Sequence, residues 1–223
     1  GGALDIETDA TQLDLTTTTG GIFVTDLGAV QLGNGTGGVN TITSGNIEIV
    51  AANTITTGGA ISTGGGNGTI NISNAAGGIT LSNTVTANGS GSVTLLATAG
   101  LLTVNQLVSS TTGNLSLTGG TGVTHGVNGD LTTTGAGTIG VTATLNDVTM
   151  ADGTVYSADS GTVTVLAAGN VLLGQITTTS SAVNVTATAG AITDNTVAET
   201  ANITGGVLTL TAATGVGATG GAL

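Results

Sequence analysis

Residues 45–49 read Gly-Asn-Ile-Glu-Ile, and the same form returns as Gly-Thr-Ile-Asn-Ile at 68–72, Gly-Ser-Val-Thr-Leu at 91–95 and Gly-Asn-Leu-Ser-Leu at 113–117. Each copy places glycine and a small polar residue before an alternation of apolar and polar residues, which has the period of a β-strand. The alternating part occurs eight times, beginning at positions 47, 70, 93, 115, 139, 163, 183 and 208. Successive copies begin about 20–25 residues apart, and a repeat of this length indicates a solenoid.

Shorter apolar segments lie between the copies, for example Ile79-Thr80-Leu81 and Val171-Leu172-Leu173. Each period therefore supplies about three brief strands, with glycine or asparagine at corners that need left-handed backbone or close approach. The sequence predicts an all-β fold, a right-handed parallel β-helix of about nine coils of roughly 20–25 residues. Coils of this kind stack about 4.8 Å apart and pair their backbones along the axis.

The stretch from residue 13 to residue 47 breaks this rhythm. If Leu13-Asp14-Leu15 is another copy of the alternating unit, the next copy, at Ile47, begins much later than one ordinary period. We therefore expect one enlarged coil near residues 13–47 with an inserted loop, and residues 16–46 are the best place for a binding loop.

No change of composition marks a domain boundary, so residues 1–223 are predicted to form a single solenoid segment. Gly1-Gly2-Ala3-Leu4 recurs as Gly220-Gly221-Ala222-Leu223, and joining the copies places Leu13 one ordinary coil period after Leu208. Our hypothesis is that the segment is one unit of a tandem array with a period of about 219 residues, or of a head-to-tail polymer.

The composition excludes several functions. The chain has no Lys, Arg, Pro or Cys, and its 12 Asp and Glu residues give a formal charge of −12. Without cations it cannot neutralise phosphates, so nucleic acid and anionic membrane surfaces are poor partners. No apolar run reaches the roughly 18 residues that a membrane span needs. We therefore expect that the chain has no nucleic-acid partner and does not insert into a membrane.

The densest acidic cluster is the candidate metal site, formed by Asp5, Glu7, Asp9 and Asp14. Asp5 and Glu7 flank Ile6, so both carboxylates point outward if Leu4 and Ile6 point inward. Carboxylates of like charge are either solvated or bridged by a hard cation, and Ca²⁺ prefers oxygen ligands. The sequence offers these four residues as Ca²⁺ candidates and no other cofactor.

Catalytic groups are scarce. His125 is the only histidine, which excludes a cage of several histidines, and it is predicted to lie in a turn. Asp147, Asp152 and Asp159 fall in one irregular coil and form either a small acidic site or solvated turns. We expect a chain that is not an enzyme.

Paired threonines suggest an ice-binding surface, because flat solenoids can present rows of threonine. Thr142-Ala143-Thr144 and Thr186-Ala187-Thr188 occupy equivalent positions after their repeats. The equivalent positions elsewhere do not continue the row, as in Val50-Ala51-Ala52 and Leu166-Ala167-Ala168. Ice binding therefore ranks below the other interpretations.

The Gly-Asn-Ile-x-Ile, Gly-Ser-Val-Thr-Leu and Gly-Asn-Leu-Ser-Leu units, followed by turns such as Ala97-Thr98-Ala99-Gly100, resemble β-helix adhesins of the filamentous-haemagglutinin and autotransporter types. The resemblance covers nearly the whole chain. It implies a secreted or surface-associated bacterial repeat protein with a role in adhesion, biofilm or an extracellular filament, and it carries no catalytic residues to transfer.

We therefore expect a non-catalytic, protease-resistant extracellular fibre or adhesin shaft. Its partners would be further copies of itself and surface glycans. The alternatives are a β-helix protein that binds or cleaves carbohydrate and an ice-binding solenoid.

Overall fold

The fold is an all-β solenoid. A computed structural model describes residues 5–198 and 200–217, and these residues form 29 strands and no helix. The strands lie in three parallel sheets, which we name A, B and C. The chain visits the sheets in that order in every turn, which confirms the predicted β-solenoid of about nine turns.

Sheet A contains the strands that the repeat predicts. Numbered in chain order, its ten strands are β1 (Ile6–Thr8), β4 (Ile22–Asp26), β7 (Ile47–Ala51), β10 (Ile70–Asn74), β13 (Val93–Ala97), β16 (Leu115–Gly119), β19 (Ile139–Ala143), β22 (Val163–Ala167), β25 (Val183–Ala187) and β28 (Leu208–Ala212). All eight predicted copies begin a strand of this sheet.

Sheets B and C are built from the shorter apolar segments. Sheet B consists of β2 (Gln12–Leu13), β5 (Val30–Leu32), β8 (Ile55–Thr57), β11 (Ile79–Leu81), β14 (Leu101–Val104), β17 (Gly122–His125), β20 (Val148–Met150), β23 (Val171–Leu173), β26 (Ala191–Asp194) and β29 (Gly215–Val216). Sheet C consists of β3 (Leu15–Thr19), β6 (Val39–Ser44), β9 (Ile61–Ser62), β12 (Val85–Ala87), β15 (Val108–Ser110), β18 (Leu131–Thr133), β21 (Val155–Ala158), β24 (Gln175–Thr178) and β27 (Ile203–Thr204).

The enlarged coil predicted for residues 13–47 is wrong. Ile22 pairs with Ile47 and Val24 with Ile49, so β4, β5 and β6 form a complete turn of ordinary length. Leu13 and Leu15 lie in sheets B and C, on either side of a corner. The error has a physical cause: apolar alternation reveals a strand but not which of three sheets it joins.

The alternation predicts burial correctly across the middle turns. First, third and fifth residues of each sheet A strand face inward, and from Ile22 to Ile192 the inward apolar side chains form one continuous core. The core is mainly Ile, Val, Leu and Ala, with like residues on neighbouring turns, as in Ile47, Ile70 and Val93. Because every strand of these middle turns pairs with the turns before and after it, backbone hydrogen bonds and burial stabilise the fold without ion pairs.

A column of glycines explains the first residue of the repeat. A Cβ atom on Gly68 would overlap the carbonyl oxygen of Gly45, one on Gly91 that of Gly68, and one on Gly113 that of Gly91. Neighbouring turns therefore approach too closely here for any side chain. The predicted role of corner glycines in close approach is confirmed at these positions.

The long period of the tandem-array hypothesis loses one of its supports. Leu208 begins β28 in sheet A, whereas Leu13 ends β2 in sheet B, so their spacing does not join equivalent positions. The repeated Gly-Gly-Ala-Leu segments lie outside the described residues. The tandem array stays a prediction.

Candidate functional site

The four predicted calcium ligands lie on the first turn, with three of them in or next to β1 and the fourth at the corner between β2 and β3. Glu7 is exposed in β1, and Asp5 immediately precedes that strand, where its Oδ2 accepts a 2.6 Å hydrogen bond from Thr25 Oγ1. Asp9 follows β1, whereas Asp14 lies between β2 and β3 and accepts hydrogen bonds from Gln12 and Asn34. Within residues 5–198 and 200–217, no group of three or more Asp, Glu, His or Cys residues is arranged to hold a metal ion. Calcium binding stays a prediction, to be checked by thermal unfolding with and without millimolar calcium.

Asp26 is a carboxylate of this region that the sequence did not single out. It is fully buried at the end of β4, and it accepts hydrogen bonds from Thr8 Oγ1 at 2.7 Å, Ala10 N at 3.0 Å and Gly28 N at 2.9 Å. Burial by itself raises the pKa of Asp26, but the three donors together outweigh it and hold the pKa below the ordinary value. The carboxylate therefore fixes the corner between the first two turns, and its oxygens are occupied.

His125 is not in a turn, contrary to the prediction. It ends β17 and points into the core, where its Nδ1 lies 2.7 Å from the carbonyl oxygen of Gly129. Because a carbonyl only accepts, Nδ1 carries the proton and Nε2 is left as an acceptor. Burial lowers the pKa of His125 to about 4, against the smaller opposing effect of the Gly129 hydrogen bond, so the ring is neutral at pH 7.

Tyr156 packs edge-on against His125, with ring centroids 5.0 Å apart and an interplanar angle of 63°. Both side chains are buried, and neither His125 Nε2 nor the Tyr156 hydroxyl has a hydrogen-bond partner in the structure. Burial raises the pKa of Tyr156 well above its usual value. The pair is enclosed by the core, so no substrate in solution can reach it.

The aspartates of the irregular coil do not converge. Asp147 precedes β20, Asp152 lies between β20 and β21, and Asp159 follows β21, so the three occupy successive corners. Asp147 Oδ1 accepts a 2.6 Å hydrogen bond from Asn170 N, and Asp159 Oδ1 accepts a 2.7 Å bond from Thr179 Oγ1. Of the two alternatives, the structure favours turn residues over an acidic site.

Buried hydroxyls of sheet C are also committed to structure. Ser110 donates to the carbonyl of Gly91 at 2.6 Å, Thr133 to that of Gly113 at 2.7 Å and Thr178 to that of Ser181 at 2.9 Å. Each bond closes the corner that leads back to sheet A. These buried hydroxyls therefore satisfy carbonyl groups of the turns.

A sustained row of threonines does exist, but on sheet B rather than sheet A. The middle, outward residues of successive sheet B strands are in register over nine turns: Gln12, Gln31, Thr56, Thr80, Thr103, Thr124, Thr149, Leu172 and Thr193. Five consecutive members are threonine. The sequence signal was the middle residue of the second apolar segment, such as Thr80. The threonine pairs noted in the sequence instead lie at the ends of two sheet A strands, β19 and β25.

Sheet C carries a second polar row, formed by Thr16, Asn40, Ser62, Thr86, Ser109, Thr132, Ser157, Thr177 and Thr204. Neighbours along it are hydrogen-bonded in places: Ser62 donates to Asn40 at 2.7 Å, and Thr86 and Ser109 lie 3.1 Å apart. Every member is uncharged. The two rows give sheets B and C mainly neutral outward surfaces rich in hydroxyl groups.

The two ends of the solenoid expose residues that the middle turns bury. At the C-terminal end a groove is lined by Leu173, Ile192, Ile203, Leu210 and Val216, with Asp194 among its lining residues. We call it the terminal groove. Asp194 accepts hydrogen bonds from Thr196 N and Oγ1 and from Asn202, and the Thr196 backbone bond is the main cause that lowers its pKa.

At the opposite end, β1, β2 and β3 form the N-terminal turn. Ile6 is exposed there, and Leu13 and Leu15 are only partly buried against the core. These three residues occupy inward positions of the three sheets, in register with Val24, Leu32 and Val39. Each end of the described solenoid thus presents an apolar cross-section of the core.

Comparisons with known proteins identify no relative. No family model, no curated protein and no solved structure matches the chain. In the part of the chain that the structure describes, there is no helix of the length and apolarity needed to cross a membrane. The fold and the surface rows are therefore the basis for a functional proposal.

Proposed function

We propose that this chain is a segment of an extracellular structural fibre or adhesin shaft of a bacterium, built from stacked solenoid turns. The observation that carries the proposal is that three continuous parallel sheets surround one core. Sheets A and B have ten strands each, and sheet C has nine. A rod of this kind spaces whatever it carries away from a surface. In this proposal the chain is not an enzyme, and surface glycans and other copies of the chain are its partners.

The composition supports the same role. The chain offers no Lys or Arg to trypsin-like proteases, and it has no Pro, which would remove a hydrogen bond from a ladder. The outward rows of sheets B and C carry mainly Thr, Ser, Asn and Gln, whereas sheet A exposes Phe23 and Glu48 among its outward residues. Backbone pairing between turns leaves few segments for a protease to bind.

The first test combines electron microscopy with proteolysis of the purified chain. About nine turns at about 4.8 Å each give a rod about 43 Å long. We expect rods of that length or multiples of it, and residues 22–187 should survive proteinase K while unfolded control protein is digested. Globular particles, or rapid cleavage within these turns, would contradict the shaft.

The second test concerns location. Antibodies against the chain should label the outside of intact cells or detect it in the medium. Detection only in the cytoplasmic fraction would contradict the extracellular assignment.

The sheet B threonine row favours one second candidate, an ice-binding surface. Thr56, Thr80, Thr103, Thr124 and Thr149 repeat at the spacing of stacked turns, about 4.8 Å, and each presents a hydroxyl and a methyl group outward. A regular array of this kind can order water. Sheet B carries a single such row, to which each strand contributes one residue. The shaft therefore remains our main proposal.

Thermal hysteresis distinguishes the two. An ice-binding row predicts a lowered freezing point that is lost in the Thr103→Tyr variant and is kept in the variant of a sheet A residue, Thr164→Tyr. A shaft shows no hysteresis in any of the three proteins.

A further inference from the structure

We propose that the terminal groove binds the N-terminal turn of a second copy of the chain, so that shafts assemble head to tail. This inference rests on the proposed shaft function and names its partner. The second copy would contact β28 and β29, the strands by which sheets A and B exceed sheet C. In the complex they would pair with β1 and β2 of the second copy.

Unpaired strand edges supply the first reason. In the described structure β28 pairs with β25 and β29 with β26, while β1 pairs with β4 and β2 with β5. Each of these four strands ends its sheet and offers backbone donors and acceptors on one edge. Turns inside the solenoid stack in parallel on both sides, so a second copy in the same orientation continues an interface that the chain already uses.

Matching apolar surfaces supply the second reason. Ile203, Leu210 and Val216 of the terminal groove stand at inward positions of sheets C, A and B. Ile6, Leu13 and Leu15 of the N-terminal turn hold inward positions in the same three sheets. Stacking the two ends removes both sets from water, as it does between turns of the core.

The distribution of charge determines the polarity. Five of the 12 acidic residues fall within the first 26 positions, and no charged side chain follows Glu199 in the sequence. The chain has no Lys or Arg to compensate. Contact between two N-terminal turns would bring two sets of carboxylates together, whereas head-to-tail contact places one set against an end whose groove is lined by a single carboxylate, Asp194.

The experiment measures assembly of the whole chain by sedimentation velocity over a range of protein and salt concentrations. Wild-type chains should form linear oligomers, and added salt should promote them because it screens repulsion between acidic copies. Val216→Asp places a carboxylate in the groove and should abolish assembly. Thr164→Asp adds the same charge on an outward, exposed position of β22, two turns away from β28 and outside both proposed contact surfaces, and should leave assembly largely intact.

A mixing experiment tests the polarity. Ile6→Asp blocks the N-terminal turn, and Val216→Asp blocks the groove, so neither variant should assemble alone. An equal mixture should give dimers and nothing longer, because one intact groove meets one intact N-terminal turn. Circular dichroism of each variant verifies that it remains folded.

Three results would overturn the head-to-tail contact: monomers under all conditions, equal assembly of the Val216→Asp and Thr164→Asp variants, or no dimers in the mixture. None of them would affect the shaft proposal if the single chain is still a protease-resistant rod. Failure of the rod itself, in microscopy or proteolysis, would remove the proposed function instead.

Discussion

Leu115-Ser116-Leu117 in the middle of the solenoid and Leu208-Thr209-Leu210 at its C-terminal end have the same pattern and occupy the same sheet. Leu115 is 1% exposed, whereas Leu208 is 49% exposed. The difference is the number of neighbours: β16 pairs with β13 and β19, whereas β28 pairs in the described structure only with β25. A repeat therefore buries its apolar residues only when turns cover it on both sides.

The N-terminal end gives the same result. Ile6 is 65% exposed, and its register partner Val24 on the next turn is 4% exposed. Ends and middle differ in solvation, not in local conformation. Substitutions in the middle and end turns can test this contrast in solvation.

The largest effect is expected from Leu117→Ala. Leu117 is fully buried, so the substitution leaves a cavity in the core and should lower the free energy of unfolding by about 3–5 kcal/mol. Leu208→Ala makes the same change on the end turn, at the register position of Leu115, and should cost about 1 kcal/mol, because half of that side chain is already in water. Urea denaturation of both variants measures the difference. Equal losses would show that the end turn is covered in solution.

The next effect concerns His125, whose pKa falls from 6.5 to about 4 on folding. The folded chain therefore binds fewer protons than the unfolded chain between these values, and stability present above pH 6.5 is lost as the pH falls toward 4. The loss attributable to this one side chain is about 3 kcal/mol. Below pH 4 it stops growing, because the folded state also binds the proton.

His125→Leu is the control for this prediction. Because other groups of the chain also contribute to the pH dependence of stability, the quantity to measure is the difference in stability between wild type and variant at each pH. The wild type should lose stability relative to the variant as the pH falls from 6.5 to 4. A constant difference would show that His125 is not buried as a neutral ring.

A smaller effect is expected from the glycine column. Gly91→Ala forces a Cβ atom onto the carbonyl oxygen of Gly68 and should cost about 2 kcal/mol as the two turns separate. Gly65→Ala lies in a corner where nothing is within 4 Å of the added atom, and should change stability by less than about 1 kcal/mol. Thermal unfolding of the pair makes the comparison. Similar melting temperatures would contradict the close approach of the turns.

The smallest effect is expected from Tyr156→Phe. The hydroxyl is buried without a hydrogen-bond partner, so its removal should raise the free energy of unfolding by about 1 kcal/mol or less. A loss of stability in urea denaturation would instead show that the hydroxyl is hydrogen-bonded in solution.

Sheet A could be predicted from the sequence in detail, because strict alternation after glycine identifies both the strand and its inward face. The short strands of sheets B and C were predicted only as additional apolar segments. The registers of these strands were not predicted, which led to the mistaken enlarged coil at 13–47. Leu13 and Leu15 have the spacing of two inward residues of a sheet A strand, but they lie on either side of a corner. Local spacing is the same in both arrangements, and only pairing with the next turn separates them.

Surface and interior chemistry were harder to predict than the fold. The threonine row of sheet B depends on registers between strands of successive turns, as in Thr80 and Thr103. The burial of His125 depends on its position at the inward end of β17, which its lone occurrence in the sequence did not show. Asp26 likewise has no distinctive sequence context, because its role comes from donors on the preceding turn.

By itself, the sequence determined the repeat, the parallel solenoid and the exclusion of cationic chemistry, since these follow from spacing and composition. Tertiary structure alone decided which side chains stack above one another, which polar groups are enclosed, and how the ends differ from the middle. The physical reason is that the alternation of apolar and polar residues determines whether a side chain points into or out of the solenoid. The stacking of turns determines whether that side chain is then buried, exposed to water or placed in a row of hydroxyl groups.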